Sequence, residues 1–258
     1  MNNSIAKNKR QSKIINILKE EEIVSVTSLA ERLHYSEMTI RRDLKYFETN
    51  GLVLRFHGGA TYLKPDYILP SFDERIGRNR AEKRKIARAA VKYITIDSIV
   101  CFDGGTTALA IVNFIPDHLQ FTAISTGLIA SSVLSQKQNC SVIQVGGTID
   151  NLSKTVFDST SENFIRNFTA DIAFICCRAI DVTRGTFEAN ITYSNEKNAL
   201  SNISATTIVV ADYTKFNHTS LCLGLPINEI DILITDDKTP SHIIKSLNNQ
   251  GIETIIAT

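Results

Sequence analysis

The chain has 258 residues, of which 43% are hydrophobic and 21% charged, and its formal net charge is +1. This composition is typical of a globular protein, and the length favours two domains over one. Because the chain has no run of about 20 apolar residues and its polar start lacks the apolar stretch of a signal peptide, we exclude a membrane-spanning protein and expect a cytoplasmic one.

The charge is distributed unevenly along the chain. Residues 1–92 contain 19 basic and 11 acidic side chains, a net charge of +8, whereas residues 93–258 contain 9 basic and 16 acidic ones, a net charge of −7. A basic front half is typical of a protein that binds a polyanion such as DNA. Charge alone does not separate this interpretation from chance unevenness.

The five cysteines are odd in number and show no C-x-x-C spacing. Most of them fall in apolar, strand-like runs. This pattern favours buried, reduced thiols over a disulfide framework or a metal site. The positions are Cys101, Cys140, Cys176, Cys177 and Cys222.

Residues 1–60 are predicted to form short helices followed by a hairpin. The apolar positions from Ile14 to Leu18 indicate a first amphipathic helix, and residues 24–34 indicate a second, with Thr27 as its cap. Ser36 is a suitable N-cap for a third helix that runs to Thr49. The alternating segment Leu52–Phe56 then predicts a strand of a hairpin, the wing of a winged helix-turn-helix.

The third helix has one apolar and one basic face. At about 100° per residue, Ile40, Leu44 and Phe47 form a single stripe, and Arg42 lies opposite it. A helix fixed by packing on one side and carrying donors on the other is what reading the DNA major groove requires, although a helix that merely happens to be basic fits the same pattern. We predict Arg42 as the first candidate for a base contact. The other predicted DNA contacts, on this helix and the wing, are Ser36, Met38, Thr39, Arg41, Lys45, Arg55 and His57.

Residues 61–71 contain two prolines and little periodicity, which predicts a linker. Residues 72–94 are predicted to be helical. From residue 98 onward, short apolar runs alternate with helix-length segments, which predicts a mostly parallel α/β domain over residues 72–258. The predicted strands are Ile99–Phe102, Phe121–Ile124, Val142–Val145, Ile172–Cys176, Thr207–Val210, Ile232–Ile234 and Thr254–Ile256.

Polar residues and glycines follow several of these strands. In open parallel sheets, ligands bind beyond the carboxyl ends of the strands, so these loops predict one polar pocket for a phosphate and a polyol, with simple tight turns as the alternative. The first loop is the predicted phosphate-binding site, because its glycines expose backbone N–H groups at the start of a helix. The predicted effector-binding residues are Asp103, Gly104, Gly105, Thr106, Thr107, Ser125, Gly146, Gly147, Asp212 and Lys215.

Two long motifs resemble the DeoR family of repressors. These are Ser36–Leu44, which reads SEMTIRRDL, and Gly51–Ala60, which reads GLVLRFHGGA. The resemblance implies that Arg41, Arg42 and the wing serve operator binding, and that Asp43 has a structural role. It continues at lower density through the rest of the chain, and it implies a sensor domain that resembles pentose-phosphate isomerases and binds phosphorylated sugars.

The chain departs from the pattern of that family around the predicted pocket. Cys176-Cys177-Arg178 stands where the family usually has a glycine, and Asp158 replaces another glycine. We expect a DNA-binding repressor of sugar or related carbon metabolism, working as a homo-oligomer without a cofactor and released by a phosphorylated sugar. A phosphosugar isomerase with an added DNA-binding module is the alternative.

Overall fold

A computed structural model of the protein describes residues 2–21, 23–49, 52–56, 58–62 and 70–258. The chain divides into two compact units, Met1–Leu69 and Pro70–Thr258. This division falls inside the predicted linker 61–71, of which residues 63–69 lie outside the described residues. Among the residues that the structure describes, no helix combines the length and apolarity needed to cross a membrane.

The N-terminal unit packs helices against a small antiparallel sheet. Its elements are α1 (Asn2–Glu21), β1 (Ile23–Ser25), α2 (Val26–Leu33), α3 (Glu37–Thr49), β2 (Val53–Phe56) and β3 (Gly59–Tyr62). The strand order is β1-β3-β2. Because β3 extends to Tyr62, the first two residues of the predicted linker belong to the hairpin.

The second helix begins later than predicted. Val24 pairs with Ala60 in the sheet instead of starting the helix. The Ser25 hydroxyl caps α2 by accepting a hydrogen bond from the Ser28 N–H at 3.1 Å. The Thr27 hydroxyl, the predicted cap, instead donates to Glu37. Tertiary pairing of β1 therefore overrides the local helical pattern here.

The C-terminal unit alternates strands and helices. Its helices are α4 (Phe72–Gly77), α5 (Arg80–Ala90), α6 (Thr106–Phe114), α7 (Leu128–Leu134), α8 (Ser159–Ile165), α9 (Ile191–Asn202) and α10 (Ser241–Asn248). Its strands are β4 (Ile99–Phe102), β5 (Phe121–Ser125), β6 (Cys140–Gln144), β7 (Ile149–Asp150), β8 (Thr155–Val156), β9 (Ala170–Ile175), β10 (Ala179–Asp181), β11 (Gly185–Glu188), β12 (Ser204–Val210), β13 (Cys222–Pro226), β14 (Ile232–Asp236) and β15 (Glu253–Ala257).

A seven-stranded parallel sheet forms the centre of this unit, in the order β15-β14-β12-β9-β4-β5-β6. Each strand of this sheet corresponds to a predicted one, so the prediction of a mostly parallel α/β domain is confirmed. Alternate residues face opposite sides, with Val100 and Phe102 in one hydrophobic core and Cys101 in the other. Helices cover both faces, as a parallel sheet requires.

The predicted helix over residues 72–94 is in fact two helices. Asn79, between α4 and α5, has a φ of 50°, a left-handed conformation that breaks the helix. Ser71 and Glu74 form a capping box that starts α4. The break turns the first residues of α5 toward the sheet, where the Asn79 amide donates to Asp212 at 3.0 Å.

The strand order reverses beside β4. The chain first adds β5 and β6 on one side of β4 and then returns to place β9 on the other side. Such a reversal opens a crevice at the carboxyl ends of the two central strands, which is where open α/β sheets bind ligands.

Candidate DNA-reading helix and anion cavity

Helix α3 is held in place by an apolar stripe and one buried carboxylate. Ile40 and Leu44 are fully buried and Phe47 nearly so, as the periodicity predicts. Asp43 is also buried and accepts hydrogen bonds from Arg10 of α1, with Nε at 2.5 Å, and from the Gln11 amide at 3.0 Å. This ion pair ties α3 to α1, in agreement with the structural role expected for Asp43.

The opposite face of α3 is exposed and basic. Met38 is 70% exposed, and Arg42 and Lys45 are exposed beside it. Arg41 is exposed too, but its guanidinium pairs with Glu37 one turn earlier, at 2.9 Å. That hydrogen bond, together with one from Thr27, lowers the pKa of the Glu37 carboxyl below its usual value. Arg41 is thus oriented along the helix.

The other predicted DNA contacts have different positions. The Ser36 hydroxyl accepts from the Thr39 N–H at 3.3 Å and lies 2.9 Å from the Thr39 hydroxyl, so both residues stabilise the start of α3. Arg55 on β2 pairs with Glu48 at 3.3 Å. His57 lies outside the described residues. The structure therefore places the predicted base-contacting groups on one exposed face of α3, with Arg55 on the wing.

A cavity of about 210 Å³ lies in the C-terminal unit. It is bounded by the loops that follow β4, β9 and β12 and by the helices α4 and α5. Its lining includes Gly105, Thr106, Thr107, Asp212 and Lys215, which the sequence predicted as effector-binding. The other lining residues are Pro70, Arg75, Arg78, Asn79, Lys83, Cys176, Cys177, Arg178, Val210, Thr214 and His218.

The start of α6 forms one wall of the cavity. Gly105 occupies the N-cap position, and no side chain among the described residues caps the helix there. The first N–H groups of a helix lack internal partners and carry a partial positive charge, so they favour an anion. A Cβ on Gly105 would lie 2.3 Å from the Cys176 sulfur. Gly105 is therefore required by this close packing.

Lys83 and Arg75 are two of the basic residues that line the cavity. Lys83 is 7% exposed, and its ammonium group donates to the Arg75 carbonyl at 2.6 Å. Burial lowers the pKa of Lys83 to about 8. The Asp212 carboxylate opposes this shift, and the positive charges of Lys215 and Arg75 add to it. The Arg75 guanidinium donates to the Pro70 carbonyl, and its buried Nη2 has no hydrogen-bond partner among the described residues.

Asp212 is the carboxylate in the cavity lining, and much of its hydrogen-bonding capacity is already used. Its Oδ1 accepts from the Asn79 amide at 3.0 Å and from the Thr214 N–H at 3.1 Å. It therefore caps the turn after β12 and holds α5 over the cavity. This leaves less of the carboxylate for a sugar hydroxyl than the sequence interpretation assumed.

Asp103 does not line the cavity, contrary to the prediction that it meets the sugar. It is buried on the other side of its loop, where it accepts from the Cys176 N–H at 2.7 Å and faces the Lys197 ammonium at 3.6 Å. Lys197 also pairs with Glu188 at 2.6 Å. Although burial opposes its charge, these carboxylates raise the pKa of Lys197. The buried ion cluster fixes the loops that follow β4 and β9.

The residues that line the cavity also do not include Gly104, Ser125, Gly146 or Gly147. The Ser125 hydroxyl accepts from the Gly127 N–H, and Gly104 packs against Thr155. The reason is the β7–β8 hairpin, which bonds to the segment after β5, as in the 2.9 Å contact from the Val156 N–H to Thr126. The prediction that all these strand ends meet in one pocket is wrong for β5 and β6.

The two adjacent cysteines, Cys176 and Cys177, are among the residues that line the cavity. All five cysteines are free, and Cys140 and Cys222 are less buried than expected. Burial raises the pKa of the Cys176 thiol to about 12, so this thiol stays protonated. Cys176 and Cys177 belong to opposite faces of the sheet, in different cores.

Sequence reasoning missed several cavity residues as binding groups. Arg75, Asn79 and Lys83 recur every fourth residue, which could have indicated a shared face, but the break at Asn79 hides the pattern. Arg178 stood out only as part of a departure from the family pattern near the predicted pocket, and His218 carries no local signal. The strand order is what brings both to the cavity.

Two family models match the chain. The first, "DeoR-like helix-turn-helix domain", matches residues 10–66, and the second, "DeoR C terminal sensor domain", matches residues 78–237. The HTH-type transcriptional regulator GolR of Listeria innocua is 31% identical, covering 96% of this chain and 98% of its own length. The transcriptional repressor AccR of Agrobacterium fabrum is 32% identical over 91% of both chains. Ribose 5-phosphate isomerase A of Methanocaldococcus jannaschii has a TM-score of 0.41 and 16% identity, covering 54% of this chain and 55% of its own.

Proposed function

The chain belongs to the DeoR family of transcriptional regulators, and from this membership we propose that it represses genes of sugar or related carbon metabolism and leaves its operator when a phosphorylated sugar or similar metabolite binds. GolR and AccR, matched over 98% and 91% of their own lengths, are named a transcriptional regulator and a transcriptional repressor, which favours regulation over the isomerase alternative. A protein that acts on operators in this way works in the cytoplasm.

The observation that supports this function most directly is the cation-lined cavity at the start of α6. It lies within the part of the chain that matches the sensor domain, and it combines the uncapped helix start with Lys83, Arg75 and Lys215. Helix N-termini and ammonium or guanidinium groups are the usual partners of a phosphate. The Thr106 and Thr107 hydroxyls add hydrogen-bond donors at the same wall.

The N-terminal unit supplies operator recognition. In this proposal α3 enters the major groove with Arg42 toward a base edge, while Arg41, Lys45 and Arg55 contact phosphates and set the register. Ser36 and Thr39 support the helix start that faces the DNA. Helix-turn-helix proteins usually bind two half-sites about 34 Å apart as dimers, so we propose that the chain works as a homo-oligomer.

The two sites are coupled through the segment that joins them in the chain. The first helices after residues 63–69, α4 and α5, supply Arg75, Arg78 and Lys83 to the cavity. A ligand held by these helices acts on the start of the C-terminal unit, directly after the segment that leads to the DNA-reading unit. The ligand therefore favours the arrangement that binds DNA poorly, and by linkage operator DNA weakens ligand binding by the same factor.

The test uses an operator obtained by in vitro selection and a panel of sugar phosphates. We expect one or more compounds to release the full-length chain from the operator. The double variant Thr106→Ala/Thr107→Ala should keep its operator affinity and lose the response, whereas Thr160→Ala, an exposed position on α8, should behave as wild type. Equal ligand affinity with and without operator, measured by titration calorimetry on the wild-type chain, would refute the coupling.

A further inference from the structure

The cavity holds more positive charge than a single phosphate compensates for. Among the lining residues that the structure describes, five are cationic and one is a carboxylate. A phosphate ester carries a charge of about −1.5 to −2 near neutral pH, so it balances about half of the excess within the lining. The cationic residues are Arg75, Arg78, Lys83, Arg178 and Lys215, and the carboxylate is Asp212.

Some of these cationic groups are buried. Lys83 is only 7% exposed, and its ammonium group donates to the Arg75 carbonyl, a neutral acceptor. The buried Nη2 of Arg75 has no partner among the described residues. Burying cations side by side with few counter-charges costs free energy, and a bound anion reduces that cost. The cavity is therefore suited to a ligand of high negative charge.

Anion-binding groups lie at two sides of the cavity. Lys83 and Thr106 both line this cavity and a neighbouring groove, and Thr106 belongs to the start of α6, which follows β4. Lys215 follows β12, and β9 separates β12 from β4. Neighbouring strands are about 4.8 Å apart, so the ends of β4 and β12 are about 10 Å apart. A chain of five or six carbon atoms with an anionic group at each end spans this distance.

We propose that the effector carries two anionic groups, a phosphate at the start of α6 beside Lys83 and a second phosphate or a carboxylate near Lys215. The proposal rests on the proposed effector site and specifies its ligand. Asn79 and Thr214, which bond to Asp212, also line the cavity and carry polar groups suited to sugar hydroxyls. Phosphorylated sugar acids and sugar bisphosphates share the required chemistry.

The experiment compares matched pairs of compounds on the full-length chain by titration calorimetry at fixed ionic strength. One pair is glucose 6-phosphate and 6-phosphogluconate, which differ in a carboxylate, and the other is fructose 6-phosphate and fructose 1,6-bisphosphate. We expect the doubly anionic member of at least one pair to bind about tenfold more tightly or better. The pair that shows the gain identifies the second group as carboxylate or phosphate.

A variant localises the second group. Lys215→Met should bring the affinities within a pair to within about threefold of each other, because the second anionic group loses its cationic partner. Lys245→Met, at an exposed position on α10, is the matched control and should keep the full difference. If Lys215→Met does not fold by circular dichroism, Lys215→Gln replaces it, and the wild-type comparison decides the proposal in either case.

The outcomes separate this proposal from the one on which it rests. Equal affinities within both pairs would overturn the doubly anionic ligand and leave the phosphorylated effector standing. If none of the four compounds binds at concentrations of about 10 mM, both the doubly anionic ligand and the phosphorylated effector at this cavity are overturned. Operator binding by the same preparation would still support the regulator.

Discussion

Lys83 makes effector binding dependent on pH. In the free protein, burial and the neighbouring cations lower the pKa of Lys83 from 10.5 to about 8. An anion seated beside the ammonium group favours its charged form and raises this pKa again. Binding therefore takes up a proton wherever the free protein has lost one and the complex has not, which is above about pH 8.

The size of the effect follows from this shift. Lys83 loses its proton in the free protein as the pH rises through about 8. The affinity for the anion is therefore highest below that pH. Above it the affinity falls by up to about tenfold per pH unit, until Lys83 also loses its proton in the complex. We expect binding about tenfold weaker at about pH 9 than at about pH 7, and an uptake of about 0.7 proton per ligand near pH 8.5. The stability of the unliganded protein depends on pH in the opposite direction. Because the pKa of Lys83 is lowered in the folded state, the free energy of unfolding rises with pH between about 8 and 10.5.

Titration calorimetry in buffers of different ionisation enthalpy measures this proton uptake directly. The probe is 6-phosphogluconate, or fructose 1,6-bisphosphate if that pair shows the gain, and the phosphate ester is fully ionised in this range because its second pKa is about 6. Lys83→Met should bind more weakly below about pH 8 and show no proton uptake. Lys215→Met should still take up the proton, because Lys83 remains.

Two results would refute the reasoning. Wild-type binding that releases or absorbs no protons between about pH 8 and 9 would mean that Lys83 does not face the anion. Proton uptake that persists in Lys83→Met would assign the titration to another group.

Three further predictions concern the two units separately. Arg42→Ala should weaken specific operator binding by about 1–3 kcal/mol and relax the preference at one base pair, whereas Arg42→Lys should retain nonspecific binding; an unchanged footprint and affinity would contradict the base contact. Asp43→Ala should destabilise the N-terminal unit by about 3 kcal/mol in urea unfolding, since it leaves Arg10 and Gln11 without their acceptor; a loss below about 0.5 kcal/mol would show that the pair is dispensable. Gly105→Ala should abolish effector binding because its Cβ would lie 2.3 Å from the Cys176 sulfur, and Cys176→Gly in the same chain should restore it; failure of this rescue would place the damage elsewhere.

Local patterns were sufficient to predict much of the architecture. The stripe of Ile40, Leu44 and Phe47 repeats with the period of a helix, and each strand of the parallel sheet appears as a short apolar run. Periodicity of this kind depends on neighbouring residues alone, which is why it can be recognised in one sequence. The start of α2 was predicted wrongly because pairing between β1 and β3, distant in the chain, outweighs the local signal.

The cavity depended on the strand order, which no local pattern specifies. Because β9 lies between β4 and β12, the cavity unites Thr106 with Arg178 and Lys215, while the hairpin of β7 and β8 separates it from Ser125. The side-chain direction of Asp103 was equally hidden, since it follows from the buried partner Lys197. The sequence by itself determined the strands of the parallel sheet and the outward-facing basic side of α3. Only the tertiary structure decided which loops meet, because packing between residues far apart in the chain sets the order of the strands and the burial that shifts the pKa of Lys83.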